Sequence, residues 1–241
     1  DAPPLLNARF ECTDGYDSQD DIVGRVPRGW TAVYINGRPT IDSTRIHFAG
    51  SCDGSGFIER MEGIDSLTFI SQDIEQLPEP GKPFDAAIYQ QVAVTPGVDY
   101  SLSGWMVSLC GGSATPSDCP VAYYMSKMLG IDPAGGTDPL APSVVWVEDQ
   151  RNFTETHWAN LRLAATAQSD TITVFVRIRS PFRWHGAHAF VDALSLMAAP
   201  TASFPGYPSG DPILLSSYEA NLPWTGSLGP DIPAIPAGAY Q

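Results

Sequence analysis

The sequence predicts an all-β fold, an antiparallel β-sandwich or jelly roll. Apolar residues recur with period two in segment after segment, while helical periodicity and βα alternation are nearly missing. The 22 Gly and 22 Pro among 241 residues supply turns throughout. No internal repeat of solenoid or propeller length is visible.

Taken in order, the first expected strand is LLNARFE at residues 5 to 11. The stretch WTAVYINGRPTIDSTRIHF holds Asn36-Gly37 between two β-prone runs, which predicts a two-residue hairpin whose turn needs positive φ. DSLTFIS follows as a short apolar strand. In IYQQVAV, Ile88, Val92 and Val94 face inward with Gln90, leaving Tyr89 and Gln91 outside. YSLSGWMVSL puts Tyr100, Leu102, Gly104 and Met106 on one face and Ser101, Ser103, Trp105 and Val107 on the other. VAYYMSKML, PSVVWVE and LRLAATA continue the series. TITVFVRIRS alternates most plainly, with Ile172, Val174, Val176 and Ile178 against Thr173, Phe175, Arg177 and Arg179. HAFVDALSLM closes it.

Residues 1 to 199 are expected to form this sandwich domain. From 200 to 241 the composition shifts to eight prolines and five glycines without any Lys or Arg, the mark of an extended strap or linker. Its scattered Ile213, Leu214, Leu215, Trp224 and Ile232 suit packing on the sandwich or adding a strand to a neighbouring copy or another surface protein.

Composition narrows the function. Thirteen Lys and Arg against 27 Asp and Glu give a net charge of −14, which repels nucleic acid. No run of 18 apolar residues predicts a membrane span, and the opening DAPPLLNARFE lacks the basic and apolar regions of a signal peptide. Cys110 and Cys119 bracket CGGSATPSDC, a loop of the kind a local disulfide closes, which leaves Cys12 and Cys52 as a second pair. Two disulfides predict an extracellular or cell-surface location.

Four segments resemble the galactose-binding-like jelly roll of secreted bacterial carbohydrate-binding modules: LLNARFE, GIDSLTFIS, IYQQVAVTPGVDYSLSGWM, and WANLRLAATAQSDTITVFVRIRS followed by FVDALSL. The resemblance spans about residues 5 to 197 and differs at Asp192-Ala193, where an Asp-Asp pair is common. It implies a structural calcium held by Glu11, Asp192 and the loop containing Asp65, in keeping with the oxygen ligands that Ca²⁺ takes. It also implies sugar recognition, on a sheet face or by loops at one end. Sugar rings offer C–H faces to aromatic rings and hydroxyls to planar polar groups. Under the family's strand pairing, Trp105, Tyr89, Gln91, Arg177 and Arg179 fall on one face. Trp30, Trp184 and His185 are the loop candidates, the last two within RWHG.

Other chemistry has little support. Asp132 and Asp138 in GIDPAGGTDP form ordinary turn chemistry as readily as an oxygen-rich loop. His185 and His188 lack a third ligand at metal-site spacing. GxSxG, HExxH, GxxxxGK[ST] and GxGxxG strings do not occur. The expected function is a noncatalytic carbohydrate-binding module. The alternative is a structural or assembly protein of a cell surface or filament, docking through residues 200 to 241.

Overall fold

Strand pairing in the computed structural model turns the period-two segments into two facing sheets. The structure describes residues 5–52, 60–71, 82–109, 125–151, 158–181 and 187–198. Along these residues run β1 (Tyr16–Asp17), β2 (Val23–Gly24), β3 (Val26–Pro27), β4 (Thr31–Asn36), β5 (Thr40–Ser43), α1 (Thr44–Ala49), β6 (Leu67–Ile70), β7 (Phe84–Ala93) and β8 (Asp99–Leu109). There follow β9 (Ser126–Asp132), β10 (Val145–Asp149), β11 (Ala159–Thr166), β12 (Thr171–Ser180) and β13 (His188–Ala198). One sheet has the order β10-β9-β12-β7-β4, the other β11-β8-β13-β6-β5-β2, and β1 pairs with β3. The β2 and β5 strands run parallel; the remaining pairs are antiparallel.

The inner faces are those the alternation assigns. Ile172, Val174, Val176 and Ile178 of β12 join Ile88 and Val92 of β7 and Leu129 and Ile131 of β9 in the buried core. From the opposite sheet come Leu102 and Met106 of β8 and Val191, Leu194 and Leu196 of β13. Each such side chain contributes about 1.5–3 kcal/mol on leaving water. Gln90 lies among them without cost, because Leu6 N–H donates to its Oε1 (2.8 Å) and its Nε2 donates to Leu6 O (3.2 Å) and Gly29 O (3.0 Å).

Three expectations are corrected. LLNARFE is a run of turns rather than a strand, with Asn7 and Phe10 at φ 49° and 52°. Its backbone forms no strand ladder: Gln90 and Trp30 both donate to Leu6 O, Tyr16 donates to Phe10 O, and Ala8 O accepts from Leu194 N–H of β13 (2.9 Å). Asn36-Gly37 makes a turn with Gly37 at φ 66°, but the flanking β4 and β5 enter different sheets, so it is a crossover and no hairpin. A β-carbon at Gly37 would also stand 2.5 Å from Pro83 O. Residues 44–48, placed by the sequence in the second β-prone run, lie instead in α1 (Thr44–Ala49). Ser43 accepts from Arg45 N–H (3.3 Å) at its start, and Gly50 at φ 76° ends it.

Cys12 and Cys52 form the expected disulfide, with Cα atoms 5.6 Å apart. Cys110 and Cys119, Trp184 and His185, and the segment 200–241 lie outside the described residues. Among the described residues no helix is long and apolar enough to cross a membrane.

Candidate functional site

The outer face of the five-stranded sheet carries a row of rings. Register places Trp146 of β10 opposite Gly130 of β9, Gly130 opposite Phe175 of β12, and Phe175 opposite Tyr89 of β7. Since alternate residues point to opposite faces, the inward Val174 and Val176 force Phe175 outward. Its ring lies 5.7 Å from Trp146 and 5.8 Å from Tyr89, both tilted near 45°. Phe175 is fully buried, whereas Tyr89 and Trp146 are half-buried.

Fixed polar groups flank this row on both sides. Arg177, two residues along β12, donates from Nε to Asp85 Oδ1 (2.8 Å) and from Nη2 to Asp85 Oδ2 (2.6 Å). This two-point pair holds the guanidinium 5.8 Å from the Trp146 ring centroid. Arg179 stands 3.9 Å from Glu148 and 3.4 Å from Ser126 Oγ. Burial works to raise the Glu148 carboxyl, yet hydrogen bonds from Ser126 and Gln150 and the attraction of Arg179 and Arg177 outweigh it and hold it below its ordinary value. On the far side of the rings, exposed Gln91 donates to Gly135 O (2.8 Å). Asp132, at the end of β9, accepts from Ala134 N–H and Ser143 Oγ, which ties the loop after β9 to the edge of this face. Asp138 likewise accepts from Leu140 N–H as a turn.

Tyr89, Gln91, Arg177 and Arg179 therefore share one face as expected. Trp105 does not join them. It lies on β8, in the other sheet, on the face opposite the inward Gly104 and Met106, so the sandwich core separates it from the ring row. Its register neighbours there are Asn160 and Asp192. Trp30 is also corrected: it is 2% exposed, donates from Nε1 to Leu6 O (2.8 Å) and packs 5.7 Å from Phe10, so it is core. Trp146, Phe175, Asp85, Glu148 and Gly130 were absent from the sequence-based site. The available signal was the alternation of Val145, Trp146 and Val147 in PSVVWVE, which places the indole opposite a core valine.

Glu11, Asp65 and Asp192 meet at one end of the sandwich, but nitrogen donors occupy them. Ile64 N–H donates to Glu11, Met61 and Glu62 N–H donate to Asp192 Oδ2, and Ala193 N–H donates to Asp192 Oδ1. Asp65 accepts from Arg45 Nε (3.0 Å) and Cys12 N–H (3.1 Å). Among the described residues no group of three or more His, Cys, Asp and Glu is placed to hold a metal ion. These N–H groups take up part of the oxygen capacity that calcium would use.

A neighbouring carboxylate carries a pH dependence. Asp42 of β5 is 7% exposed, and burial pushes its carboxyl up to about 6 against the opposing Ser43 N–H and Arg25. The native chain thus holds this proton more tightly than the unfolded chain, whose ordinary value is 3.8. Stability from this group is complete below pH 3.8 and is lost as pH rises through 6. Asp42→Asn, which keeps the acceptor for Ser43 N–H, is expected to stabilise the chain at pH 7 by on the order of 2 kcal/mol. Urea denaturation from pH 4 to pH 7 checks this: the parent should lose stability relative to the variant across that range.

No family model and no curated protein matches the chain. Among solved structures, it is similar to a family 61 carbohydrate-binding module in complex with β-1,4-galactotriose, at 15% identity over 71% of this chain and 90% of that one, TM-score 0.44. It is similar to a CBM22-1 xylan-binding domain from Paenibacillus barcinonensis at 16% identity over 82% and 95%, TM-score 0.42. A cyclase from Fischerella sp. is similar at 18% identity over 83% and 98%, TM-score 0.45. These likenesses fix neither ligand nor activity. What the chain is similar to is a set of proteins that includes carbohydrate-binding modules and an enzyme.

Proposed function

We propose that this chain is a noncatalytic, extracellular carbohydrate-binding module that holds a glycan on the outer face of its five-stranded sheet. The observation that carries the reading is the ring row from Trp146 through Phe175 to Tyr89, flanked by the Arg177–Asp85 pair and Gln91. Ring surface receives the C–H faces of a sugar, and the planar guanidinium, carboxylate and amide groups receive its hydroxyls. Because Asp85 and Arg177 already bind each other, they offer their remaining donor and acceptor positions in a fixed orientation. The disulfide between Cys12 and Cys52 supports the extracellular half of the reading.

Affinity electrophoresis in gels containing xylan, β-1,4-galactan or mixed-linkage β-glucan tests it. Retardation is expected on at least one of these. Both arginines of the face are partnered by carboxylates, so retention should change by less than about twofold between low and high salt, where unpaired charges would be screened. Free migration in every gel contradicts the reading.

A further inference from the structure

We propose that Gly130 is a positioning residue of the binding face, its missing side chain being the slot in which the Trp146 indole lies. This rests on the carbohydrate reading of the face and adds the device that sets its ring geometry.

Gly130 sits inside β9, in register with Trp146 on one side and Phe175 on the other. A glycine within a strand forfeits side-chain packing and carries an entropic cost, so it marks a bulge, a bend or a close approach. The β9 pairings to β10 and β12 run without a register shift, and Gly130 is not among the glycines at positive φ. Close approach remains. A β-carbon there would stand 2.6 Å from both Cε3 and Cζ3 of Trp146 and 3.0 Å from Cδ2. The indole thus crosses directly over the Gly130 backbone, which is how a ring on β10 meets a ring on β12, two strands away, at 5.7 Å.

A methyl group at position 130 would lift that ring. Trp146 hangs from β10, the edge strand of its sheet, and belongs to the outer face. It can swing away without disturbing the core, so Gly130→Ala should keep the fold while breaking the ring row.

Full-length chains carrying Gly130→Ala, Trp146→Phe and both changes are to be compared by electrophoresis in the same three polysaccharides and by near-ultraviolet circular dichroism. Gly130→Ala should weaken retention by roughly tenfold with a melting temperature within about 2 °C of the parent. In the Trp146→Phe background, where the smaller ring clears the methyl group, the same change should cost less than about threefold. The near-ultraviolet signal of the ring row should fall in Gly130→Ala as it does in Trp146→Phe.

Parent-like retention, equal losses in the two backgrounds, or a melting temperature lowered by more than about 5 °C would each overturn the assignment. If no polysaccharide retards the parent, the carbohydrate reading itself fails. The near-ultraviolet spectrum then decides the positioning role by itself: a lost ring signal supports it and an unchanged spectrum overturns it.

Discussion

Lys127→Ala is expected to cost about 3–5 kcal/mol of folding stability, the largest effect of any single replacement considered for this chain. Lys127 lies on β9, in register with Asp149 of β10 and Ile178 of β12, and is 0% exposed. Its Nζ donates to Arg151 O (2.7 Å), Ser108 Oγ (2.9 Å) and Met125 O (3.2 Å), and stands 3.2 Å from Asp149 Oδ2. The ammonium is therefore a hub joining β8, β9 and the end of β10. Truncation removes the cation from the Asp149 carboxylate, which keeps its contact with Arg151, and from three oxygen acceptors, so part of their desolvation loses its compensation. Guanidinium denaturation at pH 7 checks the figure, and a loss below about 1 kcal/mol would show that the hub is not held together by this charge.

The same residue carries a pH signature. Burial, opposed by Asp149, lowers the Lys127 ammonium from 10.5 to about 8. Between those values the native chain has released a proton that the unfolded chain still holds. Stability from this group is therefore present above pH 10.5 and lost as pH falls through 8. Lys127→Met should remove that slope, which a comparison of parent and variant at pH 7.5 and pH 10 reads directly.

Loss of the Cys12–Cys52 bridge, by Cys12→Ser with Cys52→Ser, is expected to cost about 4 kcal/mol and lower the melting temperature by roughly 10 °C. The bridge closes 40 residues of sequence separation, and the chain-entropy account gives this magnitude for a loop of that size. Its surroundings add to the effect. Cys12 N–H donates to Asp65, Arg45 Nη1 donates to Cys52 O (3.0 Å), and Arg45 pairs with the fully buried Asp65. The bridge thereby fixes the turn before β1 and the end of α1 against one buried ion pair. A fall of less than about 3 °C would mean that this ion pair holds the region without covalent help.

Which face each strand buries was legible in the sequence; which strands are neighbours was not. TITVFVRIRS and IYQQVAV show their inner and outer sets by alternation alone, because period two is a local property. Strand order depends on crossovers that leave no local mark. For that reason Trp105, outward on β8, was grouped with Tyr89, outward on β7, although the two strands enter different sheets. The same cause hid Trp146, whose partners Gly130 and Phe175 are reached only across two strands. Asn36-Gly37 gave its positive φ correctly and its pairing wrongly, since turn chemistry reports backbone angles and says nothing of where the next strand docks. LLNARFE has the apolar content of a strand, but Gln90, Trp30 and Tyr16 take its carbonyls from a distance that no short window can see. Cysteine arithmetic fared better with Cys12 and Cys52, because an even count limits the possible pairings.

The central claim is that the ring row, and not the opposite face, meets a glycan. Titration of the polysaccharide that retards the parent most strongly, against Trp146→Ala and Trp105→Ala, tests it most directly. Trp146→Ala should weaken affinity by roughly tenfold to a hundredfold, while Trp105→Ala should bind as the parent does. Parent-like binding by Trp146→Ala, with the loss falling on Trp105→Ala instead, would place the ligand on the other sheet and contradict the account.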